Sequence, residues 1–597
     1  MAAKWVVKIR FQNRAETILC PSGANLLELL HQHGHSVYSP CGGKGRCGKC
    51  LARVRGRAGT VTASERKHLT QAQIDDGIRL ACQIQVTGDL EVDLSPAQQL
   101  VILADGLAGD FQPDPHIRQE EIRLEQPRID RQHDCWSRLQ QQLGCREAAP
   151  EALRRLGELS RKLDLLVTYK GDKVIAVDDG EAGKEKAVPY SIAVDIGTTT
   201  VVLYLINLAN GVQVGAYAFA NPQSRYGADV ISRIDYTINH AEGCRELKQT
   251  LLKALNEGIR HLASRHGIDP ARIYHAAVAG NTVMLHMLLG VSAAGIANAP
   301  YVPVFTDGLE LSGRELGLEI YPEGLVELLP SVSGYVGADI IADLLAADFE
   351  SEKWRLLVDI GTNGEIVLGN RERAFACSAA AGPAFEGANI TFGMIGAPGA
   401  IAGYQVEANG EISYQIIANQ EPKGICGSGL VDIIAALYSQ GIISSTGAFQ
   451  EGRAEGRLAE YLGQRAYRVI PGKEIFLTQK DVREYQLAAG AIAAGIRILM
   501  KEAAIRETDI DRLYLAGGFG NYINPESAAV LGLIPKTLLK KVVKLGNGAG
   551  AGAKQYLLDR GAKARIAGLK QRITYIELSA RADFQEHFME AMFFPEL

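Results

Sequence analysis

The sequence predicts a multidomain protein that combines α+β and α/β units: a small N-terminal β-sheet domain, a small middle α/β domain and a large C-terminal α/β region made of two related halves. Three observations carry this expectation. Four cysteines gather in residues 41–82, a strand ending in Asp-Ile-Gly-Thr occurs twice, and 597 residues are far too many for one core.

Composition narrows the class. With 47% hydrophobic and 22% charged residues, the chain reads as a soluble multidomain protein. The formal charge of -5, from 63 basic and 68 acidic residues, gives no overall electrostatic reason to bind nucleic acid or an anionic membrane. Residues Met1 to Arg10 hold no apolar signal core, and no apolar run reaches the roughly 18 residues of a membrane helix, so a cytoplasmic location is expected. Ten cysteines are too few for a disulfide scaffold, and their clustering points to metal binding in a reducing compartment.

Residues 1–96 form the first expected domain. Strands are predicted over Trp5 to Phe11 and Glu16 to Cys20, a helix over Ala24 to His33, and after a glycine-rich loop a strand over Leu51 to Val54. Gln83 to Leu94 alternates as a half-buried edge would. Residues 97–118 read as a connector, because Pro113 and Pro115 disfavour a helix. A small middle unit is expected over 119–186, with helices at Cys135 to Leu143 and Pro150 to Leu163 and strands at Asp164 to Tyr169 and Lys173 to Val177. The charged stretch Asp178 to Lys186 separates it from the large region, 187–597.

That region carries the repeat. Ser191-Ile-Ala-Val-Asp195-Ile-Gly-Thr-Thr-Thr200 and Arg355-Leu-Leu-Val-Asp359-Ile-Gly-Thr-Asn-Gly-Glu365 each read as strand, tight turn, strand. Each turn alone offers half a phosphate cradle, so two similar halves are expected to face each other across a cleft.

The cysteines follow Ser39-Pro-Cys-Gly-Gly-Lys-Gly-Arg-Cys-Gly-Lys-Cys50, with the fourth in Leu80-Ala-Cys-Gln83. Cys41, Cys47 and Cys50 share one loop and Cys82 stands alone. Four thiolates satisfy a 2Fe-2S cluster, and the intervening glycines let backbone N-H groups approach the sulfurs. A structural zinc site is the alternative, but zinc folds usually pair two short Cys-x2-Cys knuckles. Residues 4 to 95 resemble plant-type and adrenodoxin-type ferredoxins in cysteines and strand order, which implies a β-grasp 2Fe-2S domain. The first interval, five residues where the plant form has four, is closer to the adrenodoxin form. Cys20, Cys135, Cys145, Cys244, Cys377 and Cys426 are scattered and read as buried or inert thiols. His31, His33 and His35 have i, i+2 spacing that does not share a helix face, so a solvated helix end is expected there.

In Asp195 to Thr200 an aspartate ends an apolar strand and a glycine allows the turn. Gly197, Thr198, Thr199 and Thr200 then present amides and hydroxyls to phosphate. Gly361, Thr362 and Asn363 are the second set. Asp195 suits Mg2+, directly or through water. Leu513-Tyr-Leu-Ala-Gly-Gly-Phe-Gly520 is a buried strand entering a diglycine turn, where Gly517, Gly518 and Phe519 could meet a base or ribose. Gly427, Ser428 and Gly429 open a helical run and suit phosphate or ribose.

From about Tyr190 onward the chain resembles the actin, Hsp70 and sugar-kinase superfamily, which implies a duplicated RNase H-like ATPase using ATP and Mg2+. By that resemblance the two Asp-Ile-Gly-Thr turns are phosphate loops and Gly517 to Gly520 is the adenosine motif. His275 to Thr282 is expected to border the cleft, and Gly546 to Gly552 to close its adenosine side, with a flexible glycine loop as the alternative for the latter. Asp195 and Asp359 would share Mg2+ through waters, while Glu365 or Asp339 could orient the attacking water. A plain solvent-facing strand start remains the alternative for Glu365.

With Asn221-Pro-Gln223, Arg225-Tyr-Gly-Ala-Asp229 and Ala379-Ala-Ala-Gly-Pro-Ala-Phe-Glu-Gly387, the whole chain resembles the reductive activators of corrinoid proteins. The resemblance implies ATP-dependent transfer of one electron from the cluster to an inactive Co(II) corrinoid, restoring Co(I). It implies as partners a corrinoid protein of a methyltransferase system and an upstream low-potential donor, and leaves a homodimer open. An activator of a radical dehydratase is the neighbouring alternative. A chaperone would need a substrate-binding appendage, and a sugar kinase has no use for the cysteines.

Overall fold

In the computed structural model all residues are described except 1–3, 12–13, 34, 36, 38, 40–42, 95–112, 181–187, 408–410 and 455. Alternating apolar residues build the first sheet. Lys4–Phe11 pairs antiparallel with Arg14–Pro21 and parallel with Leu90–Leu94, which in turn pairs antiparallel with Leu51–Gly56; Ile78–Leu80 completes the five strands. Helix Leu26–Gln32 packs on this sheet, burying Leu26 and Leu30 with Val7, Ile9 and Val92. This is the β-grasp arrangement. The expected edge over Gln83 to Leu94 is different: the stretch breaks into a turn at Ala81–Gln83, a two-residue strand at Gln85–Val86, and a central strand. Alternation reports which face a residue takes, and is silent about whether both strand edges are paired.

Two short helices went unread in the sequence. Ala63–His68 and Gln71–Asp75 start from Thr62 and Thr70, each in a reciprocal capping box with Glu65 and Gln73. Glu65 is fully buried and receives Arg79 Nε at 2.7 Å and the Leu80 amide at 3.2 Å, which fixes the chain just before Cys82.

The middle unit is a four-stranded sheet ordered Ile117–Arg123, Asp164–Lys170, Lys173–Asp179, Glu147–Ala148, backed by helices Cys135–Leu143 and Pro150–Glu158. Its first strand begins inside the expected connector, at Ile117. The second helix stops at Glu158, short of the expected Leu163. This unit leans on the large region. Ile117, Ile175 and Ala176 join the core of the first lobe, and Arg272 meets Asp178 at 3.1 Å. Burial alone would raise the Glu327 carboxyl. His275 Nε2 at 2.7 Å, with Lys170 and Lys563, outweighs that and holds it well below the carboxylate range.

Two six-stranded sheets form the lobes. In the first, Gln213–Ala220, Thr200–Asn207 and Tyr190–Ile196 make an antiparallel meander, followed by the parallel strands Ile273–Gly280 and Leu325–Leu328. The second lobe repeats the pattern with Ala374–Ala379, Gly364–Gly369 and Trp354–Ile360, then the parallel strands Ile510–Ala516 and Val542–Gly546. The larger apolar core runs from the first sheet through the helices between the lobes to one face of the second sheet, at Leu357, Val367, Tyr514 and Leu545. A second core fills the other face of that sheet. Between the lobes, helices Ala338–Ala346 and Gly548–Leu558 pack directly on each other. A Cβ on Gly552 would lie 2.0 Å from the Ala342 carbonyl oxygen, so only glycine allows this crossing. This is the duplicated RNase H-like fold expected from the repeat.

Candidate functional site

Strand register brings the two turns together. Asp195 and Asp359 each stand one residue before the end of equivalent strands, opposite Ala279 and Ala516 of the parallel neighbours. The first turn closes with the Gly197 amide donating to Thr200 O at 2.9 Å, and the second with Gly361 donating to Asn363 O at 3.0 Å. Around them lies a cavity of about 360 Å³. It takes in Gly197, Thr198, Thr199, Thr200, Asp339, Gly361, Thr362, Asn363, Glu365, Gly427, Ser428, Gly517, Gly518 and Phe519, all expected from the sequence. Gly429 is the exception. It faces strand Ala400–Val406, where a Cβ would meet Ile401 O at 2.0 Å, so it serves helix packing. Glu365 faces the cavity across from Asp359 and does not begin a solvent-facing strand.

Neighbouring residues fix the first turn. Asn281, the cap of helix Thr282–Leu289, donates from Nδ2 to Thr198 Oγ1 at 3.0 Å, and Asn221 Nδ2 donates to Gly197 O at 2.8 Å. Buried Arg233 donates to the Gly227 and Thr198 carbonyls. Asn547 Nδ2 donates to Asp195 Oδ2 at 2.9 Å from the start of Gly548–Leu558. In the second lobe the Thr362 hydroxyl donates to Glu386, and Gly517, at φ +83°, stands where a Cβ would lie 2.4 Å from Asp359 Oδ1. Gly517 is therefore required by the carboxylate, whereas a Cβ on Gly518 would meet nothing within 4 Å.

One carboxylate here was not read from the sequence. Asp343 lies four residues after Asp339 on helix Ala338–Ala346, hence on the same face, and that spacing was the signal available. It is 1% exposed, and its carboxyl lies against that of Asp359 with no other donor group among the described residues. The crowding is electrostatically unfavourable. Burial, then the field of Asp359, pushes Asp339 up to about 7; burial, relieved in part by Asn547, leaves Asp195 at about 6. Asp343 and Glu365 are driven well above the carboxylate range by the same two causes, and Glu386 and Asp359 are raised by burial. Six buried acids around one cavity, two of them carboxyl against carboxyl, would be relieved by a cation. No three acidic, His or Cys side chains among the described residues converge on one point, so Mg2+ would be held largely through water and phosphate, its usual habit.

The far wall of the cavity is apolar. Ile395, Ile417, Phe519 and Tyr522, with Cys426, could take a base, and the two turns could take the phosphates.

In the cysteine loop, Cys50 and Cys82 are buried and their thiols touch, with Cys47 close by. Cys41 lies outside the described residues. Gly43, Gly45 and Gly48 all adopt positive φ, wrapping the loop tightly, and Gln83 Nε2 approaches Cys82 Sγ at 3.6 Å. His33 and His35 stand 3.6 and 2.9 Å from the Glu16 carboxylate oxygens. The side chain of His31 is not described.

Fold and site together define a class: a two-lobed ATPase of the actin, Hsp70 and sugar-kinase kind, carrying a 2Fe-2S ferredoxin domain on the same chain. Comparison with known proteins narrows it. Residues 9–87 match the 2Fe-2S iron-sulfur cluster binding domain, 190–352 the RACo middle region, and 353–597 the C-terminal domain of RACo, the ASKHA domain. Corrinoid activation enzyme RamQ of Eubacterium limosum is 35% identical over 572 residues, 92% of this chain and 92% of that protein. The Co(II) methylated amine-specific corrinoid protein reductase of Methanosarcina barkeri is 27% identical, covering 64% of this chain and 73% of its own. The solved structure of a reductive activator for corrinoid, iron-sulfur protein superimposes with a TM-score of 0.74 at 32% identity, over 99% of this chain and 98% of that one. The chain belongs to the family of reductive activators of corrinoid proteins.

Proposed function

We propose that this protein uses ATP to drive one electron from its 2Fe-2S cluster onto the Co(II) corrinoid of a partner protein, restoring Co(I). The observation that carries this is the joining, in one chain, of four clustered cysteines and a cavity in which two Asp-Ile-Gly-Thr turns confront each other. The cluster supplies single electrons, near -400 mV for the plant type, and each 100 mV of uphill transfer costs about 2.3 kcal/mol. Hydrolysis has a purpose when the acceptor lies below the donor.

On this reading Cys41, Cys47, Cys50 and Cys82 hold the cluster. The turn residues would bind phosphate, and Asp195 and Asp359 would hold Mg2+ through water, with Asp343 behind them. Asp339, raised to about 7, suits a base that takes a proton from the attacking water, and Glu365, facing the same cavity, would orient that water. Closing the lobes around nucleotide aligns both turns at once.

The natural division is a cluster domain over 1–96, a connector, a middle unit to 186 and the ATPase over 187–597. The strand at Ile117 moves the end of the connector back from 118. The cobalt comes with the partner, a corrinoid protein of a methyltransferase system. A low-potential carrier reloads the cluster. No helix among the described residues is long and apolar enough to cross a membrane, in keeping with work in the cytoplasm. Association of two copies is compatible with this scheme, and sedimentation of the holoprotein decides it. The test of function is reduction of a purified Co(II) corrinoid protein, followed by the cobalt spectrum with and without ATP. Cobalt reduction indifferent to ATP refutes the proposal.

A further inference from the structure

Lys49 stands between two cluster cysteines and reaches out of its own domain. Its Nζ lies 2.6 Å from Ile390 O, 2.9 Å from Gly393 O and 3.2 Å from Thr391 O, all in the second ATPase lobe. An ammonium has three N-H donors, and here three backbone carbonyls receive them. The socket is itself held in shape. Thr391 donates from its amide and hydroxyl to Asp481 Oδ1 at 2.8 and 3.0 Å, the Gly393 amide closes on Ile390 O at 3.0 Å, and the Ile425 amide donates to Phe392 O at 2.8 Å.

Both ends of this segment reach the nucleotide cavity. Upstream, Glu386 lines it and accepts from Thr362 of the second turn; downstream, Ile395 and Gly396 form part of its apolar wall. The first lobe grips the cluster loop weakly. Lys44 meets Asp235 only at 3.9 Å, with both side chains more than half exposed, and Ile231 and Ile238 on the same face of helix Val230–Asn239 stay 44% and 54% exposed. The cluster loop therefore touches both lobes, firmly on the second and loosely on the first.

We propose that the carbonyls of Ile390, Thr391 and Gly393 form a nucleotide-responsive docking socket for the cluster domain, with Lys49 as the positioning residue that couples the two. This rests on the ATPase reading above. A ligand that contacts Glu386 at one end and Ile395 at the other has different contact energies for different shapes of residues 386–396, which is what population shift requires. Through Lys49 that shape sets how tightly the cluster is held against the ATPase, and hence when it is free to meet an acceptor.

The test is hydrogen exchange on the full-length holoprotein with and without a Mg2+ complex of a non-hydrolysable ATP analogue. Nucleotide should alter protection of residues 43–50 and 388–394 together with that of 195–200 and 359–365. In Lys49→Met, with cluster absorption checked, 388–394 should exchange about tenfold faster or more, the loss expected for a charge-assisted bond. Nucleotide should then no longer affect 43–50 while still protecting the two turns; a merely structural lysine would lower protection and leave the nucleotide response in place. In the unmodified protein, protection of the turns with no change at 43–50 and 388–394 overturns the socket and spares the ATPase reading. No response at the turns overturns both. The unmodified protein alone decides this if the variant fails to assemble its cluster.

Discussion

Replacing Asp339 by Asn should make the nucleotide-free protein more stable at neutral pH while disabling its ATPase. Burial and the neighbouring carboxylates raise this group from 3.8 to about 7. A folded pKa above the unfolded one means that the unfolded chain gives up its proton first, so native stability falls as pH rises from about 4 and levels off above about 7. A shift of about three units is worth about 4 kcal/mol, and about 2 kcal/mol once water in the cavity is allowed for. Asn carries no charge at any pH. The variant should therefore differ little from the parent at pH 4 and exceed it by about 2–4 kcal/mol at pH 8, raising the ATPase transition by about 2–5 °C. Thermal unfolding of both proteins from pH 4 to 8 measures this, and saturating Mg2+ and ADP should narrow the gap by supplying the missing cation. A variant no more stable than the parent at pH 8 would show that Asp339 is under no electrostatic pressure in the folded protein, and the reading of the acidic cavity as a cation site would fall.

Other outcomes follow from the same geometry. Cys47→Ser should abolish the 2Fe-2S absorption and acceptor reduction yet leave nucleotide affinity within about twofold, because the first domain has its own core; loss of nucleotide binding would contradict that independence. Iron and sulfide should each appear at about two per chain, and four irons or zinc alone would overturn the cluster. Asp359→Ala should keep the cluster spectrum and stop ATP-dependent cobalt reduction, whereas full ATP stimulation would remove the second turn from the phosphate site. Gly552→Ala, which forces a methyl group against the Ala342 carbonyl, should cost about 1–3 kcal/mol of ATPase stability, read from its thermal transition.

Much of this was legible because it repeats or clusters. The two Asp-Ile-Gly-Thr turns announced two lobes, and the cysteine spacing announced the cluster, since both depend on backbone geometry that only certain residues permit. What stayed hidden depends on contacts between distant segments. Asp343 looks like one more acid on an apolar helix until the helix is docked beside Asp359. Leu90–Leu94 alternates in the same way at an edge or in the middle of a sheet, and Gly429 is as plausible a phosphate ligand as Gly427 until strand Ala400–Val406 is seen against it. Lys49 is the sharpest case, because nothing within the cysteine loop foretells that its ammonium will find carbonyls 341 to 344 residues away.

These hidden contacts explain how two chemistries can share a chain. A cavity that gathers Asp195, Asp339, Asp343, Asp359 and Glu365 is uncomfortable alone and relieved by a Mg2+-bearing ligand, so binding energy is available for changing shape. The elements positioned to use it are the ones that carry those acids: helix Ala338–Ala346 crosses Gly548–Leu558 between the lobes, and Asn547 at the head of the latter holds Asp195 of the first lobe. Were the angle of that crossing to change on binding, one lobe would shift against the other. The cluster loop, pinned to the second lobe and only resting on the first, would be carried with the second, and its exposure to an acceptor would follow the state of the nucleotide.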